Sequence, residues 1–297
     1  ARRESMPATL LPSSLRTEVR TGSTTAQHCH PTHTPPSLLL HTTTGTIVLM
    51  FSLHNKTCTG NCVSGNAYVI SMDGGGSWSK YTNITTAIGK SGEGKARTGP
   101  GVGLLLTKGS HKGRLLVPSS TGTYGADHVY LSDDAGKSWR VAKDDSGLGG
   151  KGLDESQVTQ LPNGTIMMMM RHMAEGYKGK AISTSTDGGE TWGSVSYMPA
   201  LEGPVCQASI VSFGGHTYYS GPDSNSHERV RMTVRRSDDS AVTWPYALRV
   251  DPYGAYSCLV DGELIVGEKK EGGVLYEAGG NELLFVRFPL ALNGTAA

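Results

Sequence analysis

Four stretches decide the fold: Ser71-Met-Asp-Gly-Gly-Gly-Ser-Trp78, Ser132-Asp-Asp-Ala-Gly-Lys-Ser-Trp139, Ser185-Thr-Asp-Gly-Gly-Glu-Thr-Trp192 and Ser237-Asp-Asp-Ser-Ala-Val-Thr-Trp244. They share the pattern Ser-x-Asp-x-x-x-Ser/Thr-Trp and hold all four tryptophans of the chain, 61, 53 and 52 residues apart. A device repeated at this period marks stacked modules rather than a site of chemistry. In each copy the Asp carboxylate can accept backbone N–H bonds inside its own turn. The glycines supply positive φ, and the Trp fills the packing between sheets. The fourth copy has Ser240-Ala241-Val242 in place of the glycines, so a less regular turn is expected there.

A second repeat runs in phase with the first. Turn-plus-strand units stand at Gly45 before Ile47 to Phe51, at Gly113 before Leu115 to Val117, and at Asn163-Gly164 before Ile166 to Met170. Two more stand at Gly214-Gly215 before Thr217 to Tyr219 and at Asp261-Gly262 before Leu264 to Val266. Gly-containing pairs between apolar β-formers are hairpin signals, because tight hairpin turns need φ > 0 at their central residues. Each module therefore reads as about four short strands in roughly 50 residues, the size of a β-propeller blade. No amphipathic helix longer than two turns is evident. Without a linker, residues 1–297 read as one all-β domain.

Composition agrees with this reading and removes other classes. Forty glycines among 297 residues are about 13%, nearly twice the usual ~7%, which calls for many turns. Lys+Arg 27 against Asp+Glu 26 leaves a net charge of +1, so no basic excess exists to neutralise phosphates, and no nucleic-acid partner is expected. The longest apolar runs are strand-sized, so no membrane span is expected. No basic-then-apolar leader pattern stands at the start of the sequence. The five cysteines, Cys29, Cys58, Cys62, Cys206 and Cys258, are too scattered for a disulfide framework; Cys58 and Cys62 either pair or stay free. His28, His30, His33 and His41 with Cys29 lack metal-ligand spacing, so neither a metal nor a cofactor is expected. Sequons at Asn55, Asn83, Asn163 and Asn293 matter only in a secretory setting, and the sequence assigns no compartment.

The repeats are Asp-box, or BNR, repeats, and between them the chain resembles the sialidase (neuraminidase) family of six-bladed β-propellers. Glu155-Ser156-Gln157-Val158, with Leu161-Pro162-Asn163-Gly164 and Met170-Arg171 beyond it, looks like the family's Glu-Ser-x-Val-x-x-Leu-Pro-x-Gly segment and its Met-Arg. The resemblance makes Glu155 the base and Arg171 a ligand of the substrate carboxylate. Arg229-Val-Arg-Met-Thr-Val-Arg235 resembles Arg-x-Asn-x-Thr-Val-Arg, which places Arg229 in the same carboxylate cluster. Arg231 departs from the pattern and competes for that role. Ala255-Tyr256-Ser257-Cys258-Leu259 resembles Ala-Tyr-Ser-x-Leu, whose tyrosine is the nucleophile. Leu275-Tyr276-Glu277 resembles Leu-Tyr-Glu, whose Glu orients an arginine of the cluster. The last strand, Leu283 to Leu290, resembles the family's closing strand.

Physical chemistry explains why these residue types belong together. Sialic acid carries a carboxylate on its anomeric carbon, and arginines offer planar, permanently charged forks for it. A carboxylate nucleophile would be repelled by that charge, so a neutral phenol is the better attacker, an accepted exception to the two-carboxylate scheme of glycosidases. An ordinary phenol, with a pKa of roughly 10, needs a base to take its proton. The implied function is an exo-sialidase acting with retention on sialylated glycoproteins, glycolipids or oligosaccharides.

The likeness runs from about residue 29 to residue 290, leaving 1–28 as an unassigned remnant. The family's first blade brings an Arg-Ile-Pro motif and then a catalytic Asp. Here the nearest match is Ser5-Met6-Pro7, and the first aspartate of the chain is Asp73, inside a box. None of Arg2, Arg3, Arg16 and Arg20 sits in a matching motif. The expectation is a six-bladed propeller with an incomplete N-terminal blade, leaving strands such as Leu283 to Leu290 without a partner. Two rival classes stand beside the enzyme: a non-catalytic sialoside-binding propeller, and a structural Asp-box propeller in which Arg171 and Arg229 are fortuitous.

Overall fold

The structure, a computed structural model, describes residues 16–18, 37–41, 45–54, 63–89, 96–121, 125–150, 152–173, 179–260, 262–266, 269–279 and 282–292. Ser5-Met6-Pro7, Arg2, Arg3, Arg20, Cys29, Cys58, Cys62, His28, His30, His33, Asn55, Asp261 and Asn293 lie outside these residues. Contacts divide the chain into two compact units, Gly22–Pro199 and Ala200–Ala297 with Ala1–Thr21, and each is taken by itself.

Strand β1 (Arg16–Glu18) belongs to the second unit. In the first unit, β2 (Ser37–His41), β3 (Thr46–His54), β4 (Val63–Ser71) and β5 (Thr82–Asn83) form one antiparallel sheet, followed by a single helical turn, α1 (Thr85–Ile88). A second sheet is built from β6 (Arg97–Thr98), β8 (Leu104–Leu105), β9 (Leu115–Ser120), β10 (Asp127–Ser132) and β11 (Arg140–Val141). Between its first two strands, β7 (Gly101–Val102) joins β2 of the first sheet in a parallel pairing. The third sheet runs β12 (Leu153–Gln160), β13 (Ile166–His172), β14 (Lys180–Ser185), β15 (Ser196–Met198).

In the second unit, β16 (Ser209–Phe213), β17 (His216–Pro222), β18 (Val230–Ser237) and β19 (Tyr246–Tyr253) make the fourth sheet. The fifth holds β20 (Ser257–Leu259), β21 (Leu264–Val266), β22 (Lys269–Glu277) and β23 (Leu283–Pro289), with β1 at its edge. Sequential up-and-down strands in repeated sheets are of the propeller-blade type. Five sheets are formed among the described residues.

The expectation that Leu283 to Leu290 lacks a partner is overturned. Arg16, Thr17 and Glu18 pair antiparallel with Val286, Phe285 and Leu284, so part of the supposed remnant covers that edge. The pairing satisfies a row of backbone N–H and C=O groups that would otherwise be left open.

Alternation along the strands shows how the sheets stack. On β9, Leu115 and Val117 join Val48, Met50 and Tyr68 of the first sheet, whereas Leu116 joins Val158, Ile166, Met168 and Met170 of the third. On β10, Tyr130 faces the first sheet while Val129 and Leu131 face the third. The second sheet is thus buried on both faces, which is why Leu115 to Val117 and Val129 to Leu131 are runs of apolar residues rather than alternating with polar ones. The four consecutive methionines of β13 are all buried, with Met168 and Met170 packed against the second sheet. In the other unit, Val211, Tyr218, Met232, Val234 and Val250 of the fourth sheet pack on Leu259, Val274, Tyr276, Val286 and Phe288 of the fifth.

The boxes close the outer hairpins. In the first, the Ser71 hydroxyl donates to Asp73 Oδ1 (2.8 Å) and accepts the Gly75 N–H (2.8 Å). Asp73 in turn accepts the Ser77 N–H (2.8 Å) and hydroxyl (2.6 Å). Ser132, Asp134, Gly136 and Ser138 repeat these bonds, as do Ser185, Asp187, Gly189 and Thr191. Trp139 and Trp192 are buried and donate to Gly136 O and Gly189 O, both at 3.1 Å. Gly136 (φ 86°) and Gly189 (φ 86°) serve twice, since a Cβ there would lie 2.7 Å from Val48 Cγ2 and 2.6 Å from Leu116 Cδ2, respectively.

The fourth box departs from the expectation of a less regular turn. Ser237, Asp239, Ala241 and Thr243 make the same bonds, with Ser240 (φ 60°) and Ala241 (φ 67°) held in the left-handed region. The Ser, Asp and Thr side chains impose the turn, and their bonds outweigh the roughly 1–2 kcal/mol per residue that a Cβ costs in that conformation. The hairpin reading is likewise refined. Both residues of Gly214-Gly215 have positive φ (60° and 84°), but at Asn163-Gly164 only the glycine does (92°).

These turns predict acid sensitivity. Asp73 and Asp239 are held down to about 2, chiefly by the hydroxyls of Ser77 and Thr243. In Asp134 and Asp187, burial pulls upward but is outweighed by bonds from Ser138 and Thr191. A depressed carboxylate contributes stability that is complete above its unfolded pKa, about 4, and is lost as pH falls through its folded one. Tryptophan emission followed on acidification should therefore show loss of the native signal between about pH 4 and pH 2. Unchanged emission down to about pH 2 would contradict this role.

Candidate active site

Glu155 stands on a β-bulge. Asp154 pairs with Arg171 across β12 and β13; the register then shifts before Gln157, and Glu155 takes φ 48°. A bulge leaves its extra residue unpaired and re-aims the side chain, and a non-glycine residue in the left-handed region is the kind of strain that clusters at functional sites. The Glu155 carboxylate accepts a bond from Arg171 Nη1 at 2.6 Å, and Arg171 Nε lies 3.6 Å from Asp154 Oδ1. The Arg171 side chain is only 10% exposed and lies within reach of both carboxylates. Arg97 Nη2 reaches Asp154 from the second sheet at 3.7 Å.

Two further acids stand beside this pair that sequence reasoning did not single out. Burial pushes Asp154 up to about 6; the charge of Glu155 adds to the rise, while Arg171 and Arg97 oppose it. Burial pushes Asp127 up to about 7, where the Ser156 hydroxyl opposes the rise and the charge of Asp154 adds to it. Asp154 was legible as the neighbour of Glu155. Asp127 carried one signal, a charge opening a strand that is otherwise buried almost throughout.

The second unit brings Arg229, Tyr256 and Glu277 together. Arg229, exposed at the entry to β18, donates to Val205 O (3.2 Å), and its guanidinium carbon lies 5.4 Å from the centroid of the half-buried Tyr256 ring. That separation is within cation–π range and places a permanent positive charge beside the phenol ring. Backbone bonds clamp the tyrosine: Ala255 N donates to Glu277 O and Glu277 N to Tyr256 O, both at 2.9 Å.

The Glu277 carboxylate accepts the Tyr256 N–H at 3.4 Å, which adds to the backbone clamp on the tyrosine. Arg231, with φ 58°, donates to Asp223 O, while Arg235 Nη2 meets Asp223 Oδ1 at 3.1 Å. Gln207 went unnoticed in the sequence. It is fully buried, and its side-chain amide exchanges two bonds of 2.9 Å with the backbone of Ser257, fixing the residue after Tyr256. Among the described residues, no group of three His, Cys, Asp or Glu is placed to hold a metal ion, and no helix is long and apolar enough to cross a membrane.

Comparison with known proteins agrees with these motifs. The BNR repeat-like domain family matches residues 14–265. A sialidase of Micromonospora viridifaciens is 30% identical over 247 residues, covering 75% of this chain and 35% of its own length. A sialidase of Bacteroides fragilis is 30% identical over 226 residues, covering 70% of this chain and 38% of its own. The chain therefore spans little more than a third of the length of these curated relatives. Among solved structures, the Hadza microbial sialidase Hz136 superimposes with a TM-score of 0.71 at 25% identity, covering 86% of this chain and 52% of that one. Repeats, motifs and relatives together place the chain in the BNR-repeat sialidase family.

Proposed function

We propose that the chain is the propeller domain of an exo-sialidase, six-bladed in the manner of its family, acting on sialylated glycoproteins, glycolipids or oligosaccharides. The observation that carries this reading is the grouping of Arg229 with Tyr256 and Glu277, at the positions the family motifs assign. In the proposed reaction, following the roles the family motifs imply, Arg171 and Arg229 bind the sialic acid carboxylate, and the Tyr256 oxygen attacks the anomeric carbon as the glycosidic bond breaks. Glu155 accepts the phenol proton, and the aglycone oxygen departs and takes a proton from water. A water molecule then attacks the anomeric carbon and expels the tyrosine oxygen, which recovers its proton from Glu155, while the attacking water loses one to solvent; the two displacements leave the configuration retained. Glu277 and Gln207 hold the tyrosine backbone in place.

A second reading, a propeller that binds sialosides without turnover, is favoured by one observation: Arg171 is already engaged by Glu155 and Asp154. The purified chain incubated with an aryl sialoside separates the two. Release of free sialic acid supports the enzyme, whereas saturable binding without release supports the binding module and contradicts catalysis.

A further inference from the structure

Strand register in the Gly22–Pro199 unit gathers an unbalanced set of charges around the Glu155–Arg171 pair. Arg97 on β6 and Asp127 on β10 both pair with Ser120, from opposite sides of β9, and directly paired residues project to the same face of a sheet. Asp154 and Arg171 are paired across β12 and β13, and Arg97 bridges the two sheets through Asp154. Among the described residues the set counts three carboxylates, Asp127, Asp154 and Glu155, against two guanidinium groups, Arg97 and Arg171. Asp154 and Glu155 each lie within ion-pair reach of an arginine. Asp127 does not: it is 1% exposed, and neither carboxylate oxygen accepts a well-formed hydrogen bond. The Ser156 hydroxyl beside it is also buried and, short of a well-formed bond, favours the ionised form only in part. A buried carboxylate without an ion-pair partner is more costly as an ion than as an acid.

We infer that Asp127 is kept as a neutral carboxylic acid, and that its proton leaves Arg97 and Arg171 committed to Asp154 and Glu155, making Asp127 a positioning residue for the Glu155–Arg171 pair. With Asp127 neutral, one negative charge fewer competes for Arg97 and Arg171. Ionised, it adds a third negative charge that competes for Arg97 and, through Asp154, for Arg171. The groups that face Asp127 are Asp154 and Ser156 from β12, Arg97 from β6 and, on its own strand, His128, whose Nδ1 is bonded to Asp145 at 2.9 Å. Asp154 in turn faces Glu155 and Arg171. The upward shift to about 7 agrees in direction with the count of charges.

The linkage has a definite sign. An acid whose folded pKa lies above its unfolded one binds more protons in the folded chain, so stability falls as pH rises from about 4 through about 7, then levels off. Asp127→Asn keeps the shape and the neutrality but cannot ionise. Thermal unfolding of the full chain and of this variant, measured from about pH 4 to about pH 8, is expected to show Tm falling more steeply in the unsubstituted protein. The advantage of the variant then grows with pH, and parallel profiles would overturn the inference.

Should the variant not fold, the unsubstituted protein labelled at its aspartate carboxyl carbons answers by NMR. A resonance titrating close to 7 supports the inference, and none titrating above about 5 overturns it. The consequence for ligand rests on the sialidase reading. Binding of 2,3-didehydro-sialic acid should weaken severalfold above neutral pH in the unsubstituted protein and stay level in Asp127→Asn. Diverging Tm profiles without binding in either protein would support the buried acid while contradicting the sialidase reading.

Discussion

Glu155→Gln is expected to lower turnover of an aryl sialoside by about 10²–10⁴-fold, the usual contribution of a positioned proton acceptor. KM should not rise with it. The carboxylate that engages Arg171 at 2.6 Å would be replaced by a neutral amide, leaving the guanidinium freer for the carboxylate of the substrate. Tyr256→Phe is expected to remove turnover altogether, because it deletes the attacking oxygen while keeping the ring that Arg229 overlies. Initial rates of aryl release, with Tm as the control on folding, check both. A Phe variant that turns over like the unsubstituted chain would exclude the tyrosine as nucleophile.

Carboxylate recognition gives the second large effect. Arg171→Lys and Arg229→Lys should each weaken a sialic acid analogue by about 1.5–3 kcal/mol, the range for a hydrogen bond to a charged group. A carboxyl-reduced analogue should lose little, since it offers no anion for the fork. The two variants should differ in stability. Arg229 is exposed and spends its one side-chain bond on Val205 O, so its Tm should hold, whereas Arg171 is buried against two carboxylates and its loss of geometry should lower Tm. Titration with both analogues beside thermal unfolding checks this. Equal losses for the two analogues would assign the arginines to packing.

What the sequence revealed depended on how local the cause was. The box turns were legible because every bond that makes them spans four residues or fewer, as from Ser71 to Asp73 and from Asp73 to Ser77. Even there the pattern overstated the need for glycine. Ser240 and Ala241 adopt the same turn because the Ser, Asp and Thr side chains impose it. The partner of the last strand was not legible. Arg-Thr-Glu is too short and too polar to signal a strand, and its pairing with Leu284 to Val286 spans nearly the whole chain. The charged set around Glu155 was hidden for a related reason, since Arg97, Asp127 and Asp154 come from three strands that meet only when two sheets stack. Motif matching proposed Glu155, Arg171, Arg229, Tyr256 and Glu277 as site residues. The bond from the Tyr256 N–H to the Glu277 carboxylate follows from the register between the two segments, which no local pattern carries.

Mass spectrometry of the chain quenched during reaction with an aryl sialoside tests the proposed chemistry most directly. A retaining reaction through Tyr256 predicts a sialyl adduct on the peptide that contains Tyr256, absent from Tyr256→Phe. An adduct on another residue, or continued release of sialic acid with no adduct under any quench, would contradict the tyrosyl intermediate.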